Sequence, residues 1–191
     1  MIGSELVQFA NALSLGNGRF RLSRLLRGRG GSEWASDGHS PGEQFCLLKS
    51  GTFQAVALPS WSIGASISAS VQGGQATSIL FGGENVRPLM PVNLVAKREA
   101  NGDLTLSWTR RSRQGFAWID GIDAPLGEAS EQYRVNLIGA ATSIELTVAE
   151  PVLTVASANV AVLGLGPATV EVRQIGDVAA SRPAQLILTL S

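Results

Sequence analysis

Short runs of alternating side chains, each closed by a glycine-bearing turn, constrain this chain more than any other feature. Side chains of a strand project to opposite faces with a period of two, so alternation marks a strand with one buried face. In 104–108, Leu104, Leu106 and Trp108 share one face while Thr105 and Ser107 share the other. Glycine supplies 22 of the 191 residues, above the usual share of about 7%, and it clusters between such runs. The pattern predicts an all-β chain.

In the first half, residues 6–10 and 19–22 flank Gly16-Asn17-Gly18, and an Asn-Gly pair favours the positive φ angles of a tight hairpin turn. A second hairpin is expected between 45–48 and 53–56, and a third between 65–71 and 76–81 across Gly73-Gly74. Leu22, Leu25 and Leu26 predict one helical turn over 22–27. Gly82-Gly83, Pro88 and Pro91 interrupt pairing, because proline lacks a ladder donor. The expected boundary therefore separates a small Gly-rich β domain, 1–88, from a second domain, 89–191. In the latter, strands are expected at 93–97, 104–108, 132–138, 143–148, 152–156, 169–175 and 185–190, with no helical period. Seven strands in about 100 residues fit an immunoglobulin-like sandwich.

Fifteen Lys+Arg balance fifteen Asp+Glu, so no basic excess exists to neutralise a polyanion, and nucleic acid is not an expected partner. No apolar run approaches the roughly 20 residues of a membrane span, so no membrane insertion is expected. Met1-Ile2-Gly3-Ser4-Glu5 does not open a basic segment followed by an apolar core, and no signal peptide is expected.

Chemistry-bearing residues are few. His39 stands near Asp37, Ser36 and Ser40, but near-contiguous loop residues do not face one another as a nucleophile system requires, and Asp37 to Gly42 reads as a turn. One His and one Cys leave too few ligands for a zinc site, and Cys46 reads as a small core side chain on an apolar strand. Asp120, Asp123, Glu128 and Glu131 crowd one long connection. Clustered oxygen ligands suit calcium, yet the spacing departs from the twelve-residue calcium loop and a solvated loop also fits. Gly164-Leu165-Gly166 lacks the third glycine and following helix of a dinucleotide site. No catalytic, cofactor-binding or metal residue is assigned, and the expectation is that the chain is not an enzyme.

Five of the thirteen arginines, Arg19, Arg21, Arg24, Arg27 and Arg29, fall within eleven residues. Their planar forks suit anionic oxygens, but interleaved leucines favour a structural or interface role, with Glu33, Glu43 or a neighbouring chain as counter-charge. Trp108 and Tyr133 read as core. Trp34, Trp61, Phe116 and Trp118 lie in or near loops, where aromatics anchor interfaces or stack on sugars. The expected partner-binding residues are Arg24, Arg27, Arg29, Trp34 and Trp118.

Two resemblances add to this reading. Pro91-Val92-Asn93-Leu94, Leu104-Thr105-Leu106-Ser107-Trp108, Tyr133-Arg134-Val135, Val170-Glu171-Val172-Arg173 and Ser181-Arg182-Pro183-Ala184 resemble the strands of a fibronectin type III domain. Ala168 stands where that family carries the tyrosine of its tyrosine corner. The string from Gly18 to Trp34, with His39 to Phe45, Arg87 to Leu94 and Trp118 to Glu128, resembles the C-terminal region of the large baseplate hub protein of gene transfer agents and related long-tailed phages. That resemblance implies a non-enzymatic adaptor at the tail tip of a phage-like particle, assembled in the bacterial cytoplasm and binding tail fibre or other baseplate proteins. It also implies upstream hub domains and a glycosidase-like barrel outside this sequence, so the chain is expected to be a fragment or an excised domain pair. The alternative is a carbohydrate-binding module that touches host surface glycans through its loop tryptophans.

Overall fold

A computed structural model describes residues 1–49, 51, 55–114 and 120–190. The described chain is all-β apart from one short helix and a few 3-10 turns, and its contacts divide it into two units, Met1–Ala57 and Leu58–Ser191.

In the first unit, β1 (Gln8–Gly16) and β2 (Arg19–Leu26) form an antiparallel hairpin, with Phe9 opposite Leu25 and Leu13 opposite Arg21. Asn17 and Gly18 take φ of 51° and 71°, the left-handed geometry that lets a two-residue turn follow the twist of its strands. The helical turn expected over 22–27 does not form. Pairing with β1 overrides the local leucine spacing, and Arg24 absorbs the irregularity at φ 54°. Nor does the described part of 45–56 form the expected hairpin. Phe45 makes a single bridge with Ile2, and the Cys46 N–H donates to the Met1 carbonyl at 2.9 Å. Cys46 is exposed and lies in no strand, contrary to the expected core position. The remainder of that expected hairpin, Phe53 and Gln54, lies outside the described residues.

The second unit opens with the hairpin expected across Gly73-Gly74, formed by β3 (Ser66–Ala69) and β4 (Thr77–Leu80). Its main body is a sandwich. One sheet has the order β5 (Val92–Arg98), β6 (Leu104–Thr109), β9 (Val152–Val155). The other runs β11 (Ala184–Leu190), β10 (Gly166–Gln174), β7 (Tyr133–Ile138), β8 (Ser143–Val148). All pairs are antiparallel. Three strands facing four is the arrangement of an immunoglobulin-like sandwich of the fibronectin type III kind.

Alternation builds its core. Leu104, Leu106 and Trp108 of β6, Tyr133, Val135 and Leu137 of β7, Val155 of β9, and Val170 and Val172 of β10 are all buried in one cluster. The Trp108 and Tyr133 rings meet edge-on, 5.1 Å apart at 72°, an arrangement favoured by the ring quadrupoles. Between β9 and β10 lies the helix that strand periodicity does not reveal, α1 (Ser157–Val162). It brings Val160 and, just beyond, Leu163 into the core, and the Leu163 carbonyl accepts the Ala141 N–H at 3.0 Å. At six residues and with valines at two of them, α1 is too short for a 3.6-residue period to show.

Residues 58–88, which the prolines assign to the first module in the sequence, group here with the sandwich. Arg87 Nη1 donates to the Ala180 carbonyl at 2.7 Å, Arg182 Nη2 lies 3.1 Å from Glu84 Oε1, and Gly176 leaves room for the Pro88 ring.

Candidate functional site

The first unit is held by charge and hydrogen bonds. Its buried positions among the described residues are Glu5, Gly28 and Ser32, and none is a large apolar side chain. Glu5 is fully buried and its carboxylate accepts from three segments. Arg27 donates through Nε to Oε1 at 2.7 Å and through Nη2 to Oε2 at 2.7 Å, the two-pronged geometry a guanidinium makes with a carboxylate. The Gly28 N–H adds 2.8 Å and the Ser36 hydroxyl 3.2 Å, both to Oε1. His39 Nε2 lies 2.6 Å from Oε2. The Arg27 fork, opposed by burial and aided by His39, Gly28 and Ser36, pulls the Glu5 carboxyl down to about 2.

Local sequence makes this clasp possible. Gly28 sits at φ 60°, and a Cβ there would lie 2.9 Å from the Glu33 Cα, so only glycine brings that N–H under the carboxylate without strain. Ser32 accepts the Leu6 N–H at 2.8 Å and donates to the Arg29 carbonyl at 2.8 Å, and the Arg29 N–H donates to the Leu6 carbonyl at 2.9 Å. These bonds pin residues 27–32 beside the N-terminal segment, at the base of the β1–β2 hairpin.

His39 completes the clasp. Its Nδ1 lies 2.5 Å from Glu43 Oε2 while Nε2 faces Glu5. A neutral imidazole donates from one nitrogen only, and its other lone pair would then face a carboxylate. Two carboxylates on two nitrogens therefore require the doubly protonated ring. Hydrogen bonding to Glu5 first, then to Glu43, raises its pKa against a modest opposing effect of burial. A ring with both nitrogens donating has no lone pair with which to take a proton, and a carboxylate engaged by Arg27, Gly28, Ser36 and His39 is a structural anchor. The counter-charge of Arg27 is thus Glu5, rather than the Glu33, Glu43 or neighbouring chain expected from the sequence.

Around this base the unit is open. Leu13, Leu15, Phe20, Leu25 and Leu26 of the hairpin are exposed, as are Phe45, Leu47 and Leu48. A cavity of about 210 Å³ lies among Met1, Leu6, Phe9, Leu22, Phe45 and Leu48. Of the expected partner-binding residues, Arg24 is exposed on β2, Arg27 closes the Glu5 clasp, and Arg29 begins a 3-10 turn with its side chain exposed. Trp34 stands 44% exposed in the 3-10 turn Glu33–Ala35. Trp118 lies outside the described residues. The five arginines do not form one patch of common role, since Arg27 is consumed by Glu5.

In the second unit the acidic connection is neutralised from within. Arg110, its side chain 9% exposed, reaches Asp123 at 2.5 Å and the carbonyls of Ala124 and Pro125 at 2.6 and 3.1 Å. That pairing draws the Asp123 carboxyl below its usual range. Arg113 Nε meets the buried Glu128 at 2.8 Å, whose other oxygen accepts the Asp177 N–H at 3.0 Å. Glu131 accepts from the Tyr133 hydroxyl at 2.6 Å, and burial, then this bond, raises the tyrosine pKa. Carboxylates spent in this way do not converge on a cation. Among the described residues no group of three or more His, Cys, Asp or Glu side chains is placed to hold a metal ion. No helix among them is long and apolar enough to cross a membrane.

Several solved structures are similar to the chain. Domains d3–d4 of the rat CD45 extracellular region share 8% identity, with 94% of this chain and 93% of that one covered and a TM-score of 0.41. The structure of FN3tt shares 12% identity over 55% of this chain and 94% of that one, with a TM-score of 0.36. Titin kinase with its flanking domains shares 16% over 55% of this chain and 17% of that one, at 0.38. No curated protein matches the chain. The model of the Rcc01698-like, C-terminal family matches residues 1–46, the segment that contains every member of the Glu5 clasp.

Proposed function

We propose that the chain is a non-enzymatic adaptor of a phage-like tail baseplate, of the gene transfer agent kind, that binds tail fibre or accessory proteins at the tail tip. One observation carries this reading. The unit Met1–Ala57 has no buried large apolar side chain among its described residues, yet it exposes Leu13, Leu15, Phe20, Leu25, Leu26, Phe45, Leu47 and Leu48. A two-stranded hairpin is marginal alone, and clustered exposed apolar side chains mark protein contact surfaces. Such a surface is suited to burial against other proteins of an assembly. The match of residues 1–46 to the Rcc01698-like family supports the same reading, as does the likeness of the Gly18–Trp34 string to hub C-terminal regions.

The test is binding of the purified full chain to purified tail-tip and fibre proteins of the same particle. Saturable binding that slows amide exchange in residues 1–49 is expected. Failure to bind any of them overturns the reading, and so does measurable turnover of peptidoglycan.

A second reading has its own observation. Trp61 is 83% exposed and Trp34 44%, as sugar-stacking tryptophans must be. Glycan-array binding abolished by Trp34→Ala or Trp61→Ala would favour a carbohydrate-binding module instead.

A further inference from the structure

We propose that the free edge of β1 receives an extended, acidic segment of a partner protein as a third strand. The inference rests on the adaptor reading for the partner's place, but its geometry comes from the hairpin alone. Among the described residues β1 and β2 pair only with each other, so each has one unpaired edge. The two edges are unlike. β2 carries Arg19, Arg21 and Arg24 and is broken by the left-handed backbone of Arg24 at φ 54°, and charge with irregularity is how natural edges resist pairing. β1 spans nine residues, Gln-Phe-Ala-Asn-Ala-Leu-Ser-Leu-Gly, with no charge and no proline, and its one register shift lies at its far end, between Ser14 and Gly16. A long, unguarded edge of this kind is a template for strand addition.

Charge selects the occupant. No Asp or Glu occurs between Glu5 and Glu33, while Arg19, Arg21 and Arg24 are exposed. Arg21 pairs across from Leu13, so the two share one face. A strand added to β1 places its side chains about 10 Å from those of β2, at about 4.8 Å per strand. An arginine and a glutamate reaching toward each other span that gap. The partner strand therefore carries both kinds of side chain on the Arg21 face, acids that reach the arginines and apolar residues that cover Leu13. A second copy of this hairpin brings no acid to the arginines. A nucleic-acid backbone offers nothing to Leu13, Leu15 and Leu25, which are exposed beside them.

The probe is a labelled ten-residue Glu–Val peptide in which Glu and Val take turns at every second position and Thr fills the positions between, so that both lie on one face, with the corresponding Lys–Val peptide and a short DNA duplex of equal label as comparators, each titrated into the full chain. The Glu–Val peptide is expected to bind saturably, more weakly as salt rises, and to slow amide exchange across Gln8–Gly16. The double substitution Arg19→Glu/Arg21→Glu, at two exposed positions, is expected to weaken it about tenfold, as two charge pairs of about 0.7 kcal/mol each would. Exchange of the unliganded variant shows that its hairpin is intact. Tighter binding of DNA, indifference to the charge reversal, or protection that spares Gln8–Gly16 overturns the inference. The same variant separates this inference from the reading beneath it. A fibre protein that binds equally well to wild type and variant leaves the adaptor standing and removes the β1 site. Peptide addition at β1 with no tail-tip protein bound does the reverse.

Discussion

Glu5→Gln tests whether the first unit depends on one buried charge. The substitution keeps the size of the side chain and one carbonyl oxygen, which still accepts from Gly28 and Ser36. It removes the negative charge shared by Arg27 and His39, whose contacts to Glu5 are 2.7 and 2.6 Å. Charge-assisted hydrogen bonds contribute about 1.5–3 kcal/mol each. Arg27 and His39 are partly exposed, at 41% and 25%, and recover hydration, which lowers that figure. The expected loss is about 3 kcal/mol, roughly a hundredfold in the opening equilibrium. Amide exchange at Gly28 and Arg29 reads it directly, because their N–H groups are bonded to Glu5 and Leu6. A change below about threefold in both amides would refute the clasp as the anchor of the unit.

The same clasp sets a pH window. Glu5 drops from 4.5 to about 2 on folding, so its contribution is full above 4.5 and is lost as pH falls toward 2. His39 rises from 6.5, so its contribution is full below 6.5 and is lost as pH climbs through the raised value. Protection of Gly28 and Arg29 is therefore expected to be greatest between about 4.5 and 6.5. The groups around His39 are Glu5, Arg27, Ser36, Asp37 and Glu43. It is the chain's one histidine, so a single imidazole resonance follows its titration. Its midpoint should lie above 6.5 in wild type and fall in Glu5→Gln and in Glu43→Gln; an unchanged midpoint in both would refute the two-carboxylate geometry.

Other substitutions probe particular contacts. Gly28→Ala places a Cβ 2.9 Å from the Glu33 backbone at a positive φ, and is expected to release the Gly28 N–H from Glu5, seen as lost amide protection. Gly139→Ala meets the Leu163 carbonyl oxygen at 2.2 Å and should lower sandwich stability by about 1–3 kcal/mol in urea unfolding. Leu106→Ala empties a fully buried site of β6, with an expected cost of about 2–5 kcal/mol in the same assay. Tyr133 is the chain's one tyrosine and is buried against Glu131, so the phenolate absorbance should not rise at pH 10, and a normal titration would refute its burial.

The sandwich was the legible part of the sequence. Leu104, Leu106 and Trp108 advertise a buried face because each strand carries its own period, and the pairing with β9 only realises it. The hairpins at Asn17-Gly18 and Gly73-Gly74 were legible for a related reason, since glycine and asparagine encode the turn locally. The turn over 22–27 misleads because three leucines at helical spacing also fit a strand whose two faces are both exposed. Cys46 misleads likewise: an apolar run implies a core only where another layer covers it.

The Glu5 clasp was illegible for a different reason. The groups that bind Glu5 lie 22 to 34 residues from it in sequence, and no period links a lone glutamate to an arginine, a serine and a histidine. The usable sign was negative: residues 6–32 contain five arginines and no acid, so a nearby acid had to serve them, and Glu5 and Glu33 are the two that bound the segment. That same imbalance explains why the clasp does not exhaust the arginines. One buried carboxylate takes Arg27 and is then satisfied by Gly28, Ser36 and His39, which leaves Arg19, Arg21 and Arg24 exposed on the hairpin beside uncovered leucines. A unit that engages its one buried acid with its own base keeps its other cations and its apolar side chains outward, and that outward surface is what the proposed adaptor role would use.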